Sequence, residues 1–547
     1  MLLKPEKDKR FGNSDGKCSW IIPICMLAGI LFIGTLFGWP NVNPLNTAWV
    51  RFGGGDNFQH YIGWRFFRES DWTKHFLFFQ NFNYPQGTSV IVTDSNPLFS
   101  VIFKLFRSVL PAEFQFNGLW IIGNYALIGF FSAIIGWKLT RNPFQTFVFS
   151  MFTILNPVIL QRAAIHDTLT AHWLILYAIY ICLTDGKRFN WLHWPILVFF
   201  TMMIHVYFLP MIGFIFVLNV IRMISKREPV RKILLLLVVF LLSLAVMYYG
   251  AGYNYILPET ATYGELSMNL NAFFNPDGAS TILQDRESYP LQYEGFNYLG
   301  LGFILMIPLS LFRLRKTDIK AGLIFGIPSL LYWMLALSHV ITFDKNVLLE
   351  ISLPDKILGL LSVFRSSGRL AWPFYYIFLG SVFALLNRKE NRNSRLFSRK
   401  WVLPGALSLL LLVQIVDLSG FLRQFYSRFH EIDQSDQIIL NDDIFESIQG
   451  PVRHVAVTDG PSQVIDAFSL FAVENGCTFN RSANARNIRP IYGRTNESVH
   501  DMIENGTFDK ETIYFLLNEN DQMAAFEKYP EWYVASDPYP YLYIDGM

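Results

Sequence analysis

Two aspartates in one stretch of this chain have the setting that proton transfer needs. Asp56 follows Gly53-Gly54-Gly55 and stands at the head of Asn57 to Glu69, a helix-compatible, amphipathic run that also carries His60. Asp94 precedes Ser95-Asn96-Pro97, which reads as a cap with proline at the first helical position before Leu98 to Leu110. A carboxylate beside a helix start and next to glycines, which let a substrate approach the backbone, suits a general base. Aspartate is equally an ordinary helix cap, and both readings stay open.

Three other places carry chemistry. His166-Asp167 and His172 lie in Ala163 to Ala171 and just after it. They read as a helix cap and a packed core histidine, or as ligands that join a first-loop carboxylate around a divalent cation. Their spacing matches no defined metal signature. Asp56 and Asp167 are the metal candidates. Arg365-Ser366-Ser367-Gly368-Arg369 offers two guanidinium forks, which grip phosphate bidentately or snorkel to lipid headgroups. Glu294 is the one carboxylate in the aromatic run Tyr289 to Tyr298, which could line an acceptor groove or belt a membrane interface.

Composition says what must hold these residues. In 547 residues, 52% are hydrophobic, 16% aromatic and 16% charged, too apolar for an ordinary soluble enzyme. The mean hydropathy of +0.29 still requires a large polar portion. A net charge of +2 gives no reason to expect nucleic acid as a partner. Cys18, Cys25 and Cys182 lie in or beside apolar segments and read as small core residues.

About 20 apolar residues cross a hydrocarbon core, which gives about eleven spans. They fall near residues 19–39, 116–137, 143–160, 168–184, 190–205, 206–224, 233–250, 297–312, 321–339, 371–386 and 401–419. The stretch from Trp191 to Ile221 divides at His205 and Pro210. Lys4, Lys7, Lys9, Arg10 and Lys17 precede the first span, and every second connection thereafter is short and basic. The positive-inside rule then keeps the N-terminus cytoplasmic and puts the long loops, 40–115 above all, outside. Leu98 to Leu110, with Lys104 and Arg107 opposite Val101, Ile102 and Leu105, is expected to lie flat on the membrane.

The tail is different material. Val452 to Thr458 alternates like a strand, Pro461 to Ala472 fits a helix, and residues 512–535 repeat strand, helix and strand. The expected fold is mainly α, a polytopic helical bundle over 1–419 followed by a small extracytoplasmic α/β domain over 420–547.

Gly55-Asp56 with His60 and Trp64, Thr93-Asp94-Ser95-Asn96-Pro97, Tyr293-Glu294-Gly295-Phe296 and Phe364 to Arg369 resemble a bacterial membrane-protein family of the GT-C glycosyltransferase type. No Asp-Asp or Glu-Asp pair stands in the first loop. The resemblance implies a bacterial inner-membrane enzyme that moves a sugar from a polyprenyl-phosphate donor to a glycan, lipid or protein acceptor. It implies Asp56 as base and a second catalytic role for Asp94. Asp94 or Asp167 would orient the acceptor or bind a cation, Mg²⁺ or Mn²⁺. His60, His166 and Glu294 would contact substrate, and Arg365 and Arg369 would neutralise the lipid phosphate. A flippase for a lipid-linked saccharide and a noncatalytic polysaccharide-assembly protein are the rival classes. The first needs polar residues along the spans and internal repeats, neither of which stands out.

Overall fold

The computed structural model describes residues 20–52, 56–184, 190–257, 263–387, 401–432, 440 and 451–544. The basic N-terminal residues Lys4 to Lys17, the Gly53-Gly54-Gly55 triplet, Lys187, Arg188 and the basic residues from Arg388 to Lys400 lie outside the described residues. The chain forms two compact units, each assembled from separated stretches. One comprises Met1–Trp49, Gln115–Met247 and Pro258–Ile432; the other Val50–Phe114, Tyr248–Leu257 and Asp433–Met547.

The first unit is helical. Among the described residues, four helices are long and apolar enough to cross a membrane, or up to six if each of two bent pairs counts as one span. The shorter apolar helices include Ile21–Phe37 and Leu301–Leu311. Ile21–Phe37 ends at Gly38, whose φ of 87° suits glycine alone among common residues. It packs backbone to backbone on Asn117–Thr140. A Cβ on Gly29 would stand 2.4 Å from the Tyr125 carbonyl, and one on Gly129 2.4 Å from that of Cys25. Small residues permit this approach, which dispersion then rewards.

The segment expected as one span over 143–160 is two helices, Pro143–Ile154 and Pro157–Ile165, bent by 42°. Pro157 has no N–H to continue the first helix, and the Asn156 side chain accepts the Val158 N–H at 3.0 Å to start the second. The last apolar helix, Val402–Asp417, likewise turns by 50° into Ser419–His430. The stretch after Trp191 breaks at His205 to Tyr207, between Asn190–Ile204 and Phe208–Ser225. Buried Asp417 pins the loop that precedes Leu301–Leu311: its carboxylate accepts from Tyr298 Oη at 2.7 Å, from the Leu301 N–H at 2.9 Å and from Ser280 Oγ.

Two short antiparallel pairs come earlier in the chain, β1 Phe78–Phe79 with β2 Thr88–Ser89 in the second unit and β3 Val340–Phe343 with β4 Asn346–Glu350 in the first. The second unit is built on a five-stranded sheet of β5 His454–Val457, β6 Thr478–Phe479, β7 Thr512–Phe515, β8 Tyr533–Val534 and β9 Tyr541–Ile544, ordered β6-β5-β7-β9-β8. β5 runs parallel to β6 and β7, while β9 is antiparallel to β7 and β8. Helices Ser462–Glu474, Val499–Asn505 and Glu519–Lys528 connect them, with Tyr514, Leu516, Leu542 and Ile503 in the core. The first loop joins this sheet. Phe82 lies parallel beside Phe479, the Phe479 N–H donates to the Asn81 carbonyl at 2.9 Å, and the Tyr84 N–H returns to Phe479 at 2.9 Å.

Within the first loop, two arginines cap each other's helices. Arg107 Nη1 donates to the Ser70 carbonyl at 2.6 Å, at the end of Asn57–Glu69. Arg68 donates to the carbonyls of Arg107, Leu110, Pro111 and Ala112, beyond the end of Pro97–Leu105. Cations at helix C-termini satisfy orphan carbonyls and complement the dipole. Lys104, on the face opposite the apolar one, is covered by the loop's own packing. It is 1% exposed, donates to Ser70 Oγ at 2.7 Å and sits over the rings of Phe67 and Trp72, at 3.9 and 4.6 Å. Burial, with the Arg107 charge, pulls its ammonium down to about 7. The outward stripe is Ile102, Leu105, Phe106 and Val109.

Burial raises the Asp466 carboxyl, on Ser462–Glu474, to about 6. Its folded-state value therefore exceeds the unfolded value of about 3.9, so its contribution is complete below about pH 4 and lost as pH rises through 6. Asp466→Asn should raise the midpoint of thermal unfolding near pH 7 and leave it unchanged near pH 4. An equal shift at both would rule out titration of this group as the cause.

Candidate functional site

Asp56, His60 and Asp94 are positioned by the arginine-capped helix pair of the second unit. Asp56 is exposed at the N-cap of Asn57–Glu69; its side chain makes no capping bond, and its carbonyl accepts the His60 N–H at 3.0 Å. His60 lies one turn on and is buried. Capping of the next helix falls to Asn96, whose side chain accepts the Phe99 N–H at 3.2 Å. Asp94 is thus outside the cap, partly buried, with φ at 53°. Left-handed backbone is uncommon outside glycine, though Asp and Asn tolerate it.

This turn brings the Asp94 carboxylate within 4.8 Å of a His60 ring nitrogen. Gly63 makes the approach possible. A Cβ there would lie 2.3 Å from Ser95 Oγ and 2.6 Å from Thr93 Oγ1, two hydroxyls that bond each other at 2.9 Å. Gly63→Ala should therefore cost about 1–3 kcal/mol through overpacking and move Asp94 away from His60. Thermal unfolding of the purified variant measures this; an unchanged midpoint would mean the turn yields without strain. Burial, with the Asp94 charge behind it, also holds the Tyr253 phenol above its usual range.

The first unit contains a buried ionic cluster. Arg369 grips Glu294 bidentately, Nε to Oε2 at 2.7 Å and Nη2 to Oε1 at 2.6 Å, and Arg162 Nη2 meets Oε2 at 2.9 Å. Two glycines bring the turns together. A Cβ on Gly368 would be 2.5 Å from Gly295 Cα, and Asn297 Nδ2 donates to both their carbonyls. Burial alone would raise the Glu294 carboxyl, but Arg369 and Arg162 hold it well below the usual carboxylate range, helped by His166. Arg369 also faces the Tyr207 ring at 4.7 Å, and the Tyr207 hydroxyl accepts the Ser366 N–H at 2.9 Å.

His166 and Asp167 have separate settings. The His166 ring lies 5.3 Å from that of His205, with Nδ1 at 3.0 Å from Thr168 Oγ1. The Asp167 carboxylate accepts from Asn117 Nδ2 at 2.7 Å, and its carbonyl from Trp120 Nε1 at 3.0 Å, at the head of a single 3-10 turn, Asp167–Thr170. His172 is a packed core histidine, stacked on Trp372 and bonded to Tyr376 Oη at 2.7 Å. Arg365 is partly buried, and its carbonyl accepts the Ser367 N–H. Arg369 is the arginine of this stretch that pairs with Glu294, alongside Arg162.

Residues 26–419 match the family described as a domain of unknown function, DUF6311. The chain belongs to this family. No curated protein matches it. The DUF6311 stretch contains Asp56, His60, Asp94, Glu294 and Arg369 and stops just past Asp417, so the strands β5 to β9 lie beyond it. Within it, Arg162 is the participant that sequence reasoning missed. Its signal was Asn156-Pro157, a helix start that turns the residues after it into a new inward face.

Proposed function

We propose that this DUF6311 chain is a multi-pass membrane glycosyltransferase that takes a sugar from a polyprenyl phosphate and delivers it to an acceptor hydroxyl on the extracytoplasmic side. In this reading all eleven apolar segments cross the bilayer of a bacterial inner membrane, with the N-terminus cytoplasmic and the tail sheet forming an extracytoplasmic domain. The observation that carries it is the buried His60 facing Asp94 in the loop after the first apolar helix, with Asp56 one turn away.

In the reaction the acceptor oxygen forms a bond to the anomeric carbon, the bond from that carbon to the phosphate oxygen breaks, and polyprenyl phosphate leaves. The acceptor proton passes to a carboxylate, Asp94 or Asp56. His60 and Asp94 are also of a type that suits a divalent cation, which would supply charge stabilisation when bound. Two features of the helical unit favour a lipid phosphate donor. Arg162 and Arg369 bring two guanidiniums, a group that grips phosphate bidentately, to the single carboxylate of Glu294. An apolar cavity of 250 Å³, lined by Phe149, Leu176, Ile215, Phe325 and Ile377, suits part of a hydrocarbon chain.

Purified protein in liposomes, given polyprenyl-phosphate hexoses and pentoses labelled in the sugar together with lipid extract, should release polyprenyl phosphate and pass label to a new product. Labelled lipid that crosses the bilayer with its glycosidic bond intact would make the chain a flippase and end this reading.

A further inference from the structure

A second cleft, of 540 Å³, lies wholly within the unit that carries the sheet. It opens at the C-terminal ends of β5 and β6. Parallel strands place ligands at that edge wherever successive connections leave in opposite directions, because the diverging loops leave a crevice. Here the chain passes from β5 to β6 on one side and then to β7 on the other, so the end of β5 is such a point. The volume is in the ordinary range for small-molecule sites.

The lining identifies the ligand class. Its floor is apolar, Ile62 with Phe82 and Phe479, whose rings are nearly parallel at 6.4 Å. Its walls are hydroxyls and amides. Asn480 clamps the end of β5, accepting the Val457 N–H at 3.0 Å and donating to the Val457 carbonyl at 3.1 Å. Asn496 donates to the Asn480 carbonyl and to Asn83 Oδ1, while its own Oδ1 is buried with no partner among the described residues. Ser482 Oγ is buried and equally without a partner there. A buried polar atom left unsatisfied bears its full desolvation penalty, which a hydrogen-bonding ligand removes.

Charge excludes phosphate. Arg481 is neutralised by Asp459 at 2.6 Å, which leaves Asp466 and Glu497 as the remaining ionisable groups of the wall. Carboxylates and amides that accept from hydroxyls, over an apolar floor that takes a ring face, are the chemistry of polyol recognition. We propose that this cleft is a binding site for a neutral saccharide. It is independent of the transfer chemistry and holds whether or not the chain is an enzyme.

The test uses the full chain in a sugar-free detergent, with saturation-transfer difference NMR against neutral disaccharides of glucose, galactose, mannose and N-acetylglucosamine, and with inorganic pyrophosphate as the anionic comparator. At least one disaccharide should give saturable transfer. Ser482→Phe, which fills the cleft, and Ser462→Trp, which narrows its rim, should each weaken that binding about tenfold or more. Two variants are used so that one that fails to fold leaves the other to decide. Absence of binding by every disaccharide, unchanged binding in a folded blocked variant, or preference for pyrophosphate would each overturn the proposal.

Discussion

Glu294→Gln should lower the stability of the helical unit by about 3–5 kcal/mol, the cost of leaving buried charges without their partner. Arg162 is 1% exposed, and the Arg369 side chain 8%. Without the carboxylate, the two guanidiniums lose the counter-charge they share. Thermal unfolding of purified protein, followed through tryptophan fluorescence, should show a large fall in midpoint. The double variant Glu294→Gln/Arg369→Gln should recover part of it, because one of the two stranded charges is gone. An unchanged midpoint in the single variant would show that the three side chains contribute no net stability. The pH dependence follows from the same geometry. The folded carboxyl is held below its unfolded value, so its contribution is full above the ordinary carboxylate range, about pH 4, and is lost as pH falls through the folded value.

Asp94→Asn should reduce sugar transfer about 10²- to 10⁴-fold, the usual contribution of a general base. It should leave the fold alone, since asparagine accepts the left-handed backbone that Asp94 adopts at φ 53°. The transfer rate and the unfolding midpoint, measured on the same preparation, separate the two effects. Asp56→Asn in parallel assigns the proton. If Asp94→Asn retains the parent rate and Asp56→Asn does not, the exposed carboxylate is the base and the buried His60 with Asp94 has a structural role. If both variants turn over at the parent rate, neither Asp56 nor Asp94 is the base. Chelation and readdition of Mg²⁺ or Mn²⁺ reports whether either carboxylate works through a cation.

Local signals in the chain were legible wherever a residue and its neighbours within about one helical turn settle the structure. Asn57 to Glu69 is a helix with those ends, Asn96-Pro97 starts the next, and His205 to Tyr207 divides the long apolar stretch. The tail's strand at 454–457 and helix at 462–474 follow from their periodicity. Lys104 shows where such reading stops. Its spacing from Arg107 marked a charged face correctly, but nothing in the spacing said that Ser70, Phe67 and Trp72 would cover it.

Sequence alone determined that this chain is mainly helical, apolar over most of its length and furnished with Asp56 and Asp94 at helix starts in its first long loop, because composition and short-range periodicity are properties of contiguous residues. Tertiary structure alone decided that Asp94 meets His60 across Gly63, that Arg162 joins Arg369 on a glutamate 75 residues before it, and that residues 81–84 run beside β6. Those pairings depend on which backbones can approach closely and which buried charges must be matched. Both are settled only when distant segments compete for the same space.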